Sequence, residues 1–364
     1  MRPSTLVSAL LAGGARGLSN YQLVGNYSGV DFFSNFQFFS DPDPTAGFVK
    51  YVDQDTANST GLAGIASGDQ FKDLPYLGVD YSSLAQAGRP STRIESQNSF
   101  NSSTLWVTDI RHHPGGVCGV WSAYWLVGPN WPWGGEIDLL ENINLATTNK
   151  YVLHTGANLA VSNISDPTTA NSSGMNIRGQ FSNLNCSAAA EGNVGCVVEG
   201  QDNTFGTEFN ANGGGVIALE YLPEAISVWQ FARTEIPGDI FDGTPTPSTW
   251  RRADAHFVAT DGSSLEYYFY SLRMVFNTNI CGSWIDKVWQ TSECAALAPS
   301  CAAYAAKNPA AFKDAYWLIG GVQVYEAVAS DMNATAIPAV PAANLTSDLN
   351  YRRHVRRSSR GQVW

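Results

Sequence analysis

Between Trp131 and Asn144 the chain reads WPWGGEIDLLENIN, which sets three carboxylates, Glu136, Asp138 and Glu141, within six positions. Like charges this close repel one another, so a fold keeps them together where the repulsion has a use. Two carboxyl groups whose pKa values are pushed apart can act as proton donor and as nucleophile or base. A solvated acidic strand would carry polar residues between its acids. Here Ile137, Leu139 and Leu140 intervene, so one face of the segment is buried and the other lines a cleft. A hard-cation site is the other plain reading, but such sites draw on loop carbonyls and Asx turns that a strand supplies poorly.

Glu136 and Asp138 are two apart and share one face of a strand, whereas Glu141 lies at an odd offset and would face the other way. One extra residue restores the shared face, so the spacing predicts a β-bulge at Leu139 or Leu140. Four regular steps cover about 13 Å of Cα travel, and two glutamates leaning together close much of it. Hydrolysis of a glycosidic bond with retention uses carboxyls about 5–5.5 Å apart, one attacking the sugar while the other protonates the leaving oxygen. Asp138, lying between them, is expected to raise the pKa of a protonated neighbour.

Trp121, Tyr124, Trp125, Trp131 and Trp133 all precede the cluster within 15 residues. Indole faces stack on the C–H faces of sugar rings, although a tryptophan within a strand is as a rule core. Trp131 and Trp133 follow the turn sequence GPN and are the better cleft candidates. His154, in YVLHTG, falls one strand later and can reach the acids or a sugar hydroxyl from an adjacent strand. His112 and His113, before Pro114, read as turn residues. No GxSxG, P-loop or GxGxxG supports other chemistry.

The elements that must position these groups are short and β-prone. Runs such as SSTLWVTDIRHHPGG, CGVWSAYWLVGPNW, NKYVLHTG, YYFYSLRMVFNT and DAYWLIGGVQVYEAV alternate with Gly/Pro/Asn breaks, a spacing that fits an antiparallel sandwich. GVIALEYLPEAISVWQF reads as a hairpin with a Pro-containing turn. Only CAALAPSCAAYAAKNPAAFKDAYW, rich in Ala and broken at Pro299 and Pro309, predicts short helices. One domain is expected over residues 20–330, followed by a Pro/Ala-rich linker and a basic, disordered tail over 331–364.

The chain has 364 residues, 15% charged and 12% aromatic, with a net charge of −11. That charge disfavours nucleic acid, which needs a basic stripe, but not a neutral polysaccharide. The six cysteines, Cys118, Cys186, Cys196, Cys281, Cys294 and Cys301, show no metal-ligand spacing and read as disulfides formed in an oxidising compartment. Cys186–Cys196 is the best local pair; the other four leave three connectivities open. N-x-S/T sequons start at Asn26, Asn58, Asn101, Asn163, Asn171, Asn185, Asn333 and Asn344. With a leader over residues 1–19 that reads as a signal peptide, they point to a secreted glycoprotein. No stretch approaches the roughly 20 apolar residues of a membrane span.

In its motifs the chain resembles glycoside hydrolase family 16, whose signature is E-[aliphatic]-D-x-x-E, and within it the fungal endo-β-1,3(4)-glucanases of laminarinase type. FFSNFQFFSDPDPTAGFVKYVD, CGVWSAYWLVGPNWPWGGEIDLLENIN, LHTG, VWQFAR, VFNTNICGSW and NPAAFKDAYWLIGGVQVY carry the resemblance, in order, over residues 25–326. It implies an all-β fold, a concanavalin A-like jelly-roll sandwich with a concave substrate cleft, acting with retention on β-glucan; a monomer is expected, although no sequence feature sets the oligomeric state. It also implies Glu136 as nucleophile, Glu141 as general acid/base and Asp138 as assisting carboxylate, with Trp125, Trp131 and His154 on the sugar-binding surface. Trp133 stands where related sequences carry Asn, Asn142 where Gly often follows the acid/base, and Leu159 and Leu265 near two cysteines that are absent. No cofactor is implied, and a structural calcium on the convex side is left open. Cell-wall transglycosylation and a non-catalytic β-glucan lectin on the same sandwich are the alternative functions.

Overall fold

The computed structural model describes residues 20–68, 71–156, 158–163 and 177–328. The leader and the basic tail lie outside these residues. Strands dominate at 41% against 19% helical residues, as the alternation of β-prone runs and breaks leads one to expect.

Two antiparallel sheets stack face to face. In spatial order one sheet runs β12 (Gln180–Asn183), β13 (Cys196–Glu199), β11 (Lys150–His154), β10 (Glu136–Ile143), β9 (Val120–Val127), β17 (Arg273–Ile280), β7 (Arg93–Ser96) and β2 (Phe36–Phe38). The other runs β16 (Ala255–Phe257), β15 (Ala225–Ala232), β14 (Gly215–Leu222), β8 (Thr104–His112), β18 (Tyr316–Val328), β5 (Phe71–Gly78) and β4 (Ala63–Gly68). Its eighth strand, β1 (Asn20–Tyr27), also pairs with β18. A short parallel pair, β3 (Val49–Tyr51) with β6 (Arg89–Ser91), lies outside both sheets. The predicted hairpin is β14–β15, with Leu222 opposite Ala225 and the turn at Pro223–Glu224.

Apolar side chains at every second position fill the space between the sheets. Tyr124, Leu126, Ile137, Leu140, Met274 and Phe276 meet Trp106, Ile110, Ile217, Leu219, Val322 and Val324 in one cluster. Leu159 and Leu265 join it as buried apolar residues. The second sheet is apolar on its outer face too. Leu105, Val107, Val216, Trp229 and Phe231 there pack under Ile236, Ile240 and Trp250, so β8 reads as a nearly continuous hydrophobic run.

The Ala-rich segment forms an α-helix, Cys301–Lys307, which Pro299 precedes and the turn from Pro309 follows. Cys118–Cys294 and Cys281–Cys301 staple this region to the strand ends, and Cys186–Cys196 closes its own short loop. The turn expected at His112–His113 needs correction. His112 ends β8, and His113 is fully buried, its ring 4.4 Å from that of Phe205. Burial pushes the His113 imidazole well down in pKa, which suits a neutral ring among apolar neighbours. Among the described residues no helix is long and apolar enough to cross a membrane.

Candidate active site

The three acids lie on β10, and the strand is bulged where their spacing requires it. Against β9, Asp138 faces Trp125 and Leu140 faces Tyr124, so Leu139 is the extra residue. Against β11, Asp138 faces Val152 and Glu141 faces Lys150, leaving Tyr151 alone opposite Leu139 and Leu140. Leu139 and Leu140 are both buried. The bulge returns Glu141 to the face of Glu136 and Asp138 while the leucines stay in the core.

Each acid has an identified partner. The Trp131 indole N–H donates to Glu136 Oε2. Trp121 Nε1 donates to Glu141 Oε1 at 2.8 Å. Asp138, 2% exposed, lies beside Glu136 on the same face of the strand, and its Oδ2 is buried without a hydrogen-bond partner. His154 pairs with Glu136 across the β10–β11 ladder and points Nε2 at Asp138 Oδ2, 3.8 Å away. Its Nδ1 lies 3.1 Å from Asn193 Oδ1; that oxygen is an acceptor, which assigns the imidazole proton to Nδ1.

The loop before β10 is what brings Trp131 to Glu136. Gly128 N–H bonds Gly135 O at 2.9 Å, and a Cβ on Gly128 would sit 2.1 Å from Gly134 O. Only glycine permits so close a return of the backbone. Trp131 and Trp133 emerge 47% and 61% exposed, as the turn sequence predicts. The Trp133 ring lies against Gly156, just past His154.

Burial raises all three acids. Glu136 is pushed up to about 7 by desolvation, against the Trp131 bond, the Asp138 bond and the Arg93 charge. Glu141 is likewise pushed up to about 7 by desolvation. The Trp121 bond opposes that rise, the Glu136 charge adds to it, and His154 and Lys150 pull it back. Asp138 is driven well above the carboxylate range by desolvation, then by the charges of Glu136 and Glu141 and the bond to Glu136. Three acids in one desolvated site titrate as a coupled set and cannot all ionise near neutrality. Of the three, Asp138 is the one for which burial and both neighbouring charges act in the same direction, toward the protonated form. The sequence led us to expect Asp138 to raise a neighbour; instead its hydrogen bond lowers Glu136. Desolvation lowers His154, with the Glu141 charge and the Asn193 bond opposing.

Such a set supplies an ionisable carboxylate held by an indole donor, a second carboxyl that gains and loses a proton near neutral pH, and an exposed aromatic wall. One atom each of Glu136, Asp138 and His154 lie within 4.8 Å of one another, a closeness the contacts above already explain.

Trp125 lies beside the acids through its register with Asp138. Its indole donates to Asn277 Oδ1 at 2.7 Å, and the Arg93 guanidinium sits 5.1 Å from its ring and 4.3 Å from that of Phe39. Tyr124, one residue away, points into the core. Sequence reasoning missed Arg93, Asn277, Asn193 and the bond from Trp121 to Glu141. Trp121 could have been found by parity, because it lies four residues from Trp125 on the same face. The others reach the site from distant strands and loops and leave no local trace.

Comparison with known proteins matches residues 36–325 to the family model described as the XgeA-like catalytic GH16 domain. A protein of Aspergillus fumigatus named probable endo-1,3(4)-β-glucanase is 38% identical over 350 residues, covering 94% of this chain and 51% of that protein. The endo-1,3(4)-β-glucanase xgeA of Emericella nidulans is 36% identical over 332 residues, 89% of this chain and 50% of its own length. The chain thus spans about half the length of these curated relatives. Among solved structures, laminarinase 16A of Phanerochaete chrysosporium, with 6-O-glucosyl-laminaritriose in donor and acceptor sites, superposes with a TM-score of 0.75. It is 34% identical, over 85% of this chain and all of that one. An elongating GH family 16 β-1,3-glucosyltransferase gives 0.75 at 36% identity over 84% of this chain and 99% of the other. The bulged acid strand and its aromatic wall are therefore those of a member of glycoside hydrolase family 16, and the chain belongs to its XgeA-like catalytic domains.

Proposed function

We propose that this chain is an endo-acting glycosidase that hydrolyses β-1,3- or mixed β-1,3/1,4-glucan by double displacement with retention. One observation carries the reading: the bulge at Leu139 turns Glu141 onto the face of Glu136 and Asp138. The names of the curated relatives, which are glucanases, support the substrate class.

In this reading Glu136 attacks the anomeric carbon as its carboxylate, the form that the Trp131 donor favours against the burial that raises it. Protonated Glu141 gives its proton to the departing glycosidic oxygen. A covalent glycosyl-enzyme forms, and the ionised Glu141 then takes a proton from the water that releases the sugar. The chemistry returns Glu141 to its starting state. Trp125, Trp131, Trp133 and His154 form the sugar-binding wall, and residues 20–330 are the catalytic domain. Pairing of all six cysteines supports an extracellular setting.

Replacing Glu136 with Gln tests the assignment. Release of reducing ends from laminarin and lichenan should vanish while the protein still binds the glucan. Near-normal turnover by Glu136→Gln would sink the mechanism, and wild-type protein that binds laminarin without releasing reducing ends would favour a lectin.

A further inference from the structure

We propose that Asn149 is a positioning residue for Glu141, holding in place the bulge that turns this side chain into the cleft. The inference rests on Glu141 being the acid/base.

Asn149 immediately precedes β11 and is fully buried beneath the acid strand. Its Nδ2 donates to Leu139 O at 2.7 Å, and its Oδ1 accepts the backbone N–H of Glu141 at 2.8 Å. These two groups flank the point where the β10–β11 ladder is interrupted. One side-chain amide thus stands in for the ladder across the bulge. The second Nδ2 hydrogen reaches over the sandwich to Gln230 Oε1, 3.0 Å away on β15 of the opposite sheet.

Gln230 is anchored in turn. Its Oε1 also accepts from the Tyr151 hydroxyl at 2.8 Å, and its Nε2 donates to Thr204 O at 2.6 Å. Its backbone N–H bonds Asp254 Oδ2 at 2.7 Å, and Asp254 is paired with Arg251 at 2.9 Å. The Asn149 backbone is fixed as well, its N–H to Thr204 Oγ1 and its carbonyl from Gly200 N–H, both at 2.8 Å.

Two buried amides are unfavourable unless their hydrogen bonds are made, and for packing alone an aliphatic side chain would serve better. Here every donor and acceptor of the Asn149 amide is used, and the bonds converge on the one irregular step of the acid strand. Glu136 and Asp138 precede that step and pair regularly with His154 and Val152. Loosening the clip therefore displaces Glu141 and leaves Glu136 in place.

The test compares kcat/KM on laminarin with kcat/KM on a β-laminaribioside of an acidic phenol, whose leaving group needs no proton. Asn149→Ala should lose about a hundredfold on laminarin, the scale of a misplaced catalytic group. On the phenol glycoside it should lose no more than about threefold, because general acid catalysis is not at stake there. Asn149→Asp keeps the acceptor for Glu141 N–H but sets a carboxyl oxygen against Leu139 O and Gln230 Oε1; it should show the same selectivity, and Asn149→Ser, which is smaller and uncharged, decides the matter should either variant fail to fold. Equal losses on both substrates, or no loss on laminarin, would overturn the inference. Glu141→Ala, assayed alongside, separates the two ideas. If Glu141→Ala discriminates between the substrates and the Asn149 variants do not, the positioning role alone fails. If Glu141→Ala does not discriminate, the acid/base assignment fails and takes the positioning role with it.

Discussion

Trp121 and Glu141 lie on neighbouring strands of one sheet, and the indole N–H of the first donates to Oε1 of the second at 2.8 Å. The donor favours the ionised carboxylate and so works against the burial that raises Glu141. Trp121 is itself steadied by Trp284, edge-to-face at 5.4 Å. Trp284 sits in the helix Ser283–Val288, two residues beyond Gly282 and three beyond Cys281 of the Cys281–Cys301 bond. A buried disulfide is thus connected, through two indoles, to the Glu141 carboxyl.

Removing that donor should leave Glu141 protonated to higher pH. For Trp121→Phe we expect the alkaline limb of kcat/KM on laminarin to move up by about one to two pH units, the share of a single hydrogen bond to a charged group. A pH–rate profile measures it directly, and an unmoved or downward-shifted limb would count against the assignment of that limb to Glu141.

Asp138 is predicted to act as a hydrogen-bond donor, not as a base. Asp138→Ala should lower kcat about 10–100-fold, the worth of a charge-assisted bond to Glu136. Asp138→Asn, which can still present an N–H, should recover a good part of that loss. Asn no better than Ala at this position would show that the donor is not what matters.

The raised acids make a statement about stability. Glu136 binds its proton more tightly folded, near pH 7, than unfolded, where a glutamate titrates at about 4.3. Between those values the folded state holds more protons, so this contribution is complete below the lower pKa and is lost as pH rises through the upper one. Glu136→Gln removes the liability and should raise the melting temperature at pH 8 by several degrees, on the order of 3 kcal/mol. At pH 4 it should change little. Thermal melts at the two pH values decide it, and equal shifts at both would refute the cause.

The Cys281–Cys301 bond closes a loop of sequence separation 20, for which loop-closure entropy gives about 3 kcal/mol. The double variant Cys281→Ser/Cys301→Ser should lose roughly that stability by urea titration. It should also show a larger loss of activity on laminarin than on the phenol glycoside, because Trp284 and Trp121 stand between the bond and Glu141. Unchanged activity in the folded double variant would cut the connection drawn from the disulfide to the acid.

What the sequence revealed, and what it hid, follows from range. Glu136, Asp138 and Glu141 lie on one strand, so parity alone required a bulge and put it at Leu139–Leu140, where it stands. Trp131 and Trp133 were legible from the turn that carries them, and Cys186–Cys196 from its ten-residue separation. Cys118–Cys294, 176 residues apart, was not. Gln230 reaches the bulge from the opposite sheet, and Arg93 enters through the pairing of β7 with β17; no spacing rule connects either to β10. His113 misled because a Pro and two Gly follow it, which signals a turn, while its burial depends on Phe205 and Phe209, far along the chain. Asp138 lies on the face that parity gave it, whereas the desolvation that raises its pKa belongs to the assembled sandwich.

The most direct measurement is to trap the covalent intermediate. A 2-deoxy-2-fluoro-β-laminaribiosyl fluoride should form the glycosyl-enzyme and slow its hydrolysis, and peptide mass spectrometry then identifies the labelled residue. The label should fall on Glu136, and the product of normal turnover should retain the β configuration. Label on Asp138 or Glu141, or α-configured product from an unlabelled enzyme, would contradict the two-carboxylate mechanism built on the bulge.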